Sequence, residues 1–259
     1  MGFKAKIIAV KNALSAWGGV IFRKSSNYPF RTIWFNFKVL PFKQAILLPI
    51  TLYSKTIFRE LSGKIIIDTE HIAHNMIKLG ADWWYPATAR PQVMWSIFGT
   101  LIFKGPISFP QGTYLHVAKN GVLQFGTKGT FIGTNSKIMC FDHIEIGDGT
   151  QITWDCQIYD TGFHYVESDG NIGKLTSPIK VGNNVWIGNN TTITKGVNIP
   201  DYSIVTSHSL VNKDLEQYGE HCLFAGYPAA LKKRGVTRIF DEEKERILDQ
   251  ENNYSRNHL

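Results

Sequence analysis

Between Val181 and Val211 the apolar positions fall on a beat of six: Val181, Ile187, Ile193, Ile199, Val205 and Val211. Four positions after each of the first five stands a small or β-branched residue, Val185, Thr191, Val197, Ser203 and Ser209. A helix repeats its apolar face about every 3.6 residues and a half-buried strand every two, so neither produces a strict six. A beat of six with Gly, Asn and Asp between the apolar marks predicts a parallel β-helix, each hexad giving one short strand and one turn. In that arrangement the aliphatic residue points inward and the small residue fits where the backbone bends. Gly182-Asn183-Asn184, Gly188-Asn189-Asn190 and Lys195-Gly196 supply the residues that tolerate positive φ at such corners.

The same beat is present, less strictly, from Ile132: Ile132, Ile138 and Ile144, then a shift of two residues to Ile146, Ile152 and Ile158. Ser136, Thr150 and Cys156 take the small positions. Upstream, from Gly63, short β-rich runs punctuated by Gly predict imperfect coils or edge strands. The insert Ala81 to Val93, with Trp83, Trp84 and Tyr85, interrupts them and reads as a loop that suits stacking on a sugar ring. The beat lapses from Asp160 to Pro178, a polar stretch, and resumes at Ile179. Excursions from a solenoid gather on one face, often the binding face. The expected organisation is therefore an N-terminal segment over 1–62, an all-β solenoid over 63–214 with a loop excursion at 160–178, and a C-terminal turn and capping helix over 215–259.

Composition adds one asymmetry. The chain of 259 residues has a net charge of +7, yet residues 1–60 hold ten Lys or Arg against the single acid Glu60. This segment is also rich in aromatics, among them Trp17, Phe30, Trp34, Phe37 and Phe42. Such a segment suits the surface of an anionic membrane, or else a plain packing extension with solvated lysines. Pro29, Pro41 and Pro49 argue against one long amphipathic helix. No apolar run is long enough to span a bilayer, and dispersed basic residues without a motif argue against nucleic acid. Cys140, Cys156 and Cys222 are too few and too scattered for a disulfide framework, which fits a cytoplasmic protein.

The candidate chemistry is sparse. His116, His143 and His164 fall in or near coils, but no His-x4-His pair accompanies them and no metal site is expected. His164 stands out by position, in Ile158-Tyr159-Asp160-Thr161-Gly162-Phe163-His164, where the last hexad opens into the excursion. A neutral imidazole there can take a proton from a hydroxyl near neutral pH, with Asp160 or Asp155 fixing its tautomer. A structural His, and aspartates serving only as turn residues, are the plainer alternatives.

The run Ile158 to His164, the excursion, Ile179-Lys180-Val181-Gly182-Asn183-Asn184-Val185-Trp186-Ile187-Gly188, and then Leu210-Val211-Asn212-Lys213-Asp214 and Ala225-Gly226-Tyr227-Pro228-Ala229 resemble the hexapeptide-repeat acyltransferases. The sugar O-acetyltransferase branch is the most similar, over residues 130–234. Upstream, Phe35-Asn36-Phe37-Lys38 and 63–126 look more loosely like acetyltransferases of bacterial surface polysaccharides. The resemblance implies a left-handed parallel β-helix, a homotrimer with active sites between subunits, and acetyl-CoA as co-substrate without a metal. It places the catalytic base on His164 and the coenzyme A contacts on Trp186, Asn189, Ser207, Asn212, Lys213 and Lys233. One departure is plain: the family's small-residue run is Thr206-Ser207-His208-Ser209 here. The implied reaction is O-acetylation of a sugar hydroxyl on a cell-surface glycan or its precursor, in the cytoplasm or at the inner face of the membrane. Two alternatives remain open at this point: N-acetylation of a nucleotide-linked amino sugar or small molecule, and a non-catalytic β-helix scaffold or glycan binder.

Overall fold

The computed structural model describes residues 11–15, 17–18, 28–81, 92–252 and 254. Trp83, Trp84 and Tyr85 lie outside them, as do residues 1–10 and 19–27 of the basic segment.

The sixfold beat closes into coils with three faces. Successive strands visit face A, face B and face C in turn, and each pairs in parallel with the strand one coil away, as Val181 with Ile199, Ile187 with Val205 and Ile193 with Val211. Each pair is three hexads apart. All six aliphatic marks are buried, and so are the five small residues that follow them. The solenoid is a left-handed parallel β-helix. Its corners turn through positive φ at Asn135, Asp155, Asn190 and His208, stacked on one edge between faces A and B. Short polar side chains tolerate that conformation because they bond locally to the backbone.

Upstream the coil is wider. The strands Lys64–Ile67, Thr100–Phe103, Val122–Phe125 and His143–Ile146 of face C each bury two residues rather than one. Larger side chains fill the added width: Trp95, Phe103, Phe109 and Phe125 are fully buried, with Phe103 and Phe125 stacked at 5.7 Å. The two-residue shift between Ile144 and Ile146 falls in one of these strands, both isoleucines pointing inward, and Ile179 and Val181 repeat it one coil on.

The first coil begins earlier than the change of texture at Gly63 suggests. Ile50–Leu52 is the first strand of face A and Ile57–Glu60 the first of face B. A strand at the end of a stack presents unpaired backbone groups, which must be covered. Helix α1 (Pro29–Val39) covers them with polar side chains. The Asn36 Oδ1 accepts from the Ile50 amide at 3.1 Å, its Nδ2 donates to the Ile50 carbonyl at 2.7 Å, and the Thr32 hydroxyl accepts from the Leu52 amide at 3.1 Å. Phe35 sits between these two and stacks on Phe58 at 4.2 Å. A four-residue helix α2 (Phe42–Ala45) follows.

At the other end, Cys222–Gly226 extends face A in parallel and Ala229–Arg234 returns antiparallel along it. Helix α3 (Glu242–Glu251), expected as a cap, buries none of its residues. The last coil is closed instead by buried Leu215, whose amide bonds the Asn198 carbonyl at 3.0 Å.

Replacing Ile193 with Ala is expected to cost about 2–5 kcal/mol in urea unfolding, because the stacked coils cannot collapse onto the lost volume. Its outward neighbour Thr192, changed to Ala, should cost less than about 1 kcal/mol.

Candidate active site

Faces B and C meet where the excursion leaves the coil. Tyr159 ends the face B strand Gln157–Tyr159, and the chain re-enters face C at Ile179. Between them the arm folds back on itself: Thr161 bridges Thr176, the Gly162 amide donates to the Leu175 carbonyl at 2.7 Å, and Glu167–Ser168 pairs antiparallel with Asn171–Ile172. Lys195, one coil on, pins the arm's root by donating from Nζ to the carbonyls of Lys174 and Leu175. Phe163 anchors the near side against Phe141 and Tyr159, with ring centroids 5.9 and 5.6 Å apart. These contacts set the position of His164, whose amide bonds back to the Gly162 carbonyl at 2.7 Å. The imidazole is exposed on the single chain. The arm that carries it exposes the apolar side chains Phe163, Tyr165, Val166 and Ile172, interleaved with exposed Glu167, Asp169, Asn171 and Lys174.

Asp160 and Asp155 do not hold that imidazole within the chain. Asp160 is buried, and its two carboxylate oxygens accept from the amides of Phe141 and Asp142 at 2.7 and 2.8 Å. Burial raises its pKa above the usual carboxylate range, against the pull of those two amides. Its role is to close the corner from which the arm departs. Asp155 sits at φ 58° on the opposite corner, between faces A and B. The thiols of Cys140 and Cys156 are buried and raised, Cys156 to about 12, so neither supplies a thiolate. Among the described residues no cluster of His, Cys, Asp and Glu could hold a metal ion.

The coenzyme A candidates separate into two sets. Trp186, Ile204, Leu223 and Lys233 stand in one row across face A through successive strand pairs. At about 4.8 Å per strand, Trp186 and Lys233 are about 14 Å apart. Asn189 and Ser207 lie beside this row on the A–B corner, the Ser207 hydroxyl donating to Asn189 Oδ1 at 2.6 Å. Gly188 is required there, since a Cβ at 188 would lie 2.3 Å from the Ser207 amide nitrogen. Asn212 and Lys213 follow the strand Leu210–Val211 onto the B–C corner, the edge that carries the root of the arm and His164. The chain thus groups His164 with Asn212 and Lys213, and Trp186 with Asn189, Ser207 and Lys233; it does not bring the two groups together.

The unusual Thr206-Ser207-His208-Ser209 run is accommodated by the corner itself. His208 takes positive φ, and buried Ser209 accepts from the Gly226 amide at 3.3 Å. Two contacts were not visible in the sequence motifs. The Arg238 guanidinium lies 5.8 Å from the Trp186 ring centroid and 3.9 Å from Glu245, joining the C-terminal segment to face A. The clamp of Lys195 on the arm has no local signature, because its partners are backbone carbonyls twenty residues away.

The left-handed coil of hexads is the fold of solved acetyltransferase structures, and the curated relatives to which the chain is similar are acetyltransferases. The chain is 30% identical to the galactoside O-acetyltransferase of Escherichia coli (strain K12) over 142 residues, 54% of this chain and 61% of that one. It is 41% identical to a probable macrolide acetyltransferase of Lysinibacillus sphaericus over 68 residues, 26% of this chain and 34% of that one. The chain therefore spans less than two thirds of the length of the curated relatives it matches. No family model matches it. Among solved structures, the polySia specific acetyltransferase NeuO superposes with a TM-score of 0.50 at 19% identity, over 75% of this chain and 93% of that one, a likeness of fold.

Changing Asp160 to Ala strands the amides of Phe141 and Asp142 and is expected to cost about 2–3 kcal/mol in urea unfolding. Asp155 to Asn, which keeps a short polar side chain at that exposed positive-φ corner, should cost less than about 1 kcal/mol in the same titration.

Proposed function

We propose that the chain is an acetyl-CoA-dependent O-acetyltransferase that works as a homotrimer on a sugar hydroxyl of a cell-surface glycan or its precursor. The observation that carries this reading is the placement of His164 on an exposed arm at the B–C corner that also leaves four apolar side chains, Phe163, Tyr165, Val166 and Ile172, uncovered in the single chain. Apolar side chains gathered around an imidazole suit a cleft closed by a neighbouring copy. The two separated groups of candidate contacts favour the same arrangement. A cleft between copies would set the His164 corner of one against the Trp186, Asn189, Ser207 and Lys233 surface of the next.

In that cleft the imidazole takes the proton of the acceptor hydroxyl as the oxygen attacks the thioester carbonyl. A tetrahedral oxyanion forms, and backbone N–H groups lining the cleft stabilise it. Its collapse breaks the carbon–sulfur bond, and the departing thiolate takes the proton back from the imidazolium. The products are the acetyl ester and free coenzyme A. No covalent acyl-enzyme is needed, since among the described residues no Ser or Cys hydrogen-bonds a His side chain that could serve as its base, and the three cysteines are buried. The ammonium groups of Lys213 and Lys233 are exposed and suited to phosphates of coenzyme A. The use of acetyl-CoA in this reading supports a cytoplasmic location, at or away from the inner face of the membrane.

Changing His164 to Ala is expected to lower kcat/KM about 100- to 10,000-fold, followed as thiol release from acetyl-CoA with a panel of glycan and amino-sugar acceptors. The KM for acetyl-CoA should stay near its original value. Undiminished turnover would remove His164 from the chemistry, and turnover with amines alone would replace the hydroxyl acceptor.

A further inference from the structure

Helix α1 is apolar on both sides. Soluble helices turn an apolar stripe inward and a polar face to water. Here the inner face holds buried Phe35 between Thr32 and Asn36, which bond the first strand, while Phe30, Trp34 and Phe37 project outward at spacings of four and three. Their exposures are 85%, 51% and 38%, and Phe42 of helix α2 adds another ring at 68%. Phe37 joins the group together, its ring 5.8 Å from Phe42 and 6.4 Å from Trp17. A cleft of about 580 Å³ opens beside them, lined by Leu14, Trp17, Phe37, Phe42, Ile46 and Leu47, with Lys43 among its walls.

Within residues 1–60 the exposed charge is almost all of one sign, the nearest acids beyond them being Asp68 and Glu70, which follow the Ile67 carbonyl bonded by Gln44 of α2. Lys11, Lys38, Lys43, Lys55 and Arg59 are all exposed. The only acid in residues 1–60 is Glu60, and its Oε1 accepts from the amides of Leu61 and Ser62. A second copy docked face to face through a twofold axis would set these cations against themselves. Exposed aromatics rimmed by lysines match instead a surface with an apolar interior and anionic headgroups.

We propose that the outer face of α1 and α2 docks the protein on an anionic phospholipid bilayer, with Phe30, Trp34, Phe37 and Phe42 entering the headgroup boundary and Lys38 and Lys43 meeting lipid phosphates. Docking of this kind needs no spanning segment, and no helix among the described residues is long and apolar enough to be one. The inference is independent of the acyl-transfer reading, since it uses none of the residues on the arm or on face A.

The test is co-sedimentation of the full chain with phosphatidylcholine vesicles, with and without phosphatidylglycerol. Partitioning into the anionic vesicles is expected to be at least ~10-fold stronger, and to weaken with salt. The double variant Phe30→Ser/Phe42→Ser should lose about 10-fold or more of that binding, and Lys38→Gln/Lys43→Gln about 25-fold, since each lysine near the surface contributes about fivefold. All four side chains are exposed, so the melting temperature of each variant should match that of the unaltered chain. Equal sedimentation with neutral and anionic vesicles, no sedimentation at all, or full binding by either double variant would overturn the proposal. A change of oligomeric mass on Phe30→Ser/Phe42→Ser in lipid-free buffer, with wild type indifferent to vesicles, would make the face an interface between copies and overturn it equally.

Discussion

The structure depends on the backbone ladder between successive coils, and that ladder forms only if each coil returns to the same face with an apolar residue pointing inward. Parallel strands of two or three residues have little stability alone, so neighbouring coils must satisfy nearly every backbone group. The pairs Val181 with Ile199, Ile187 with Val205 and Ile193 with Val211 show the rule at its strictest. The ends of the stack are where it fails, and each end has its own remedy. Thr32 and Asn36 cover the first strand, and Leu215 closes the last coil.

This constraint also explains where function can be placed. Inward positions are committed to packing, leaving the outward positions, the corners and any excursion that keeps the ladder intact. The arm satisfies that last condition because its root is tied on both sides. The Ser177 amide donates to the Asp160 carbonyl at 3.0 Å, and the carboxylate of Asp160 holds the neighbouring corner. Loop length costs little once the ends are fixed. His164 can therefore be displayed on a long exposed arm without loosening the coils that carry it.

The sequence made the narrow half of the solenoid legible because one inward residue per strand leaves a clean period of six. From Ile132 to Val211 the buried aliphatic residues are those the beat marks. Upstream the beat is lost for a physical reason: strands such as Lys64–Ile67 bury two residues each, and Phe and Trp take over from Ile and Val. Helix α1 was harder still, since its inner face sets Phe35 between polar Thr32 and Asn36 while Phe30, Trp34 and Phe37 lie outside, so the hydrophobic pattern marks no single inward side. In the candidate site the position of His164 at the mouth of the excursion was readable. The burial of Asp160 was not, because an Asp at a turn looks the same whether its partners are its own backbone or that of the coil behind.

The central claim is that the acyl-transfer site is completed by two copies, with His164 from one and the Ser207 corner from the next. Subunit complementation tests it most directly: chains carrying His164→Ala and chains carrying Ser207→Trp, each inactive alone, are unfolded, mixed and refolded together. If each site draws on two copies, random assembly should restore roughly a quarter of the sites to the wild-type pairing, with activity in proportion. If the mixture stays as inactive as its parents while sizing as a mixed oligomer, the site lies within a single chain and the claim is wrong.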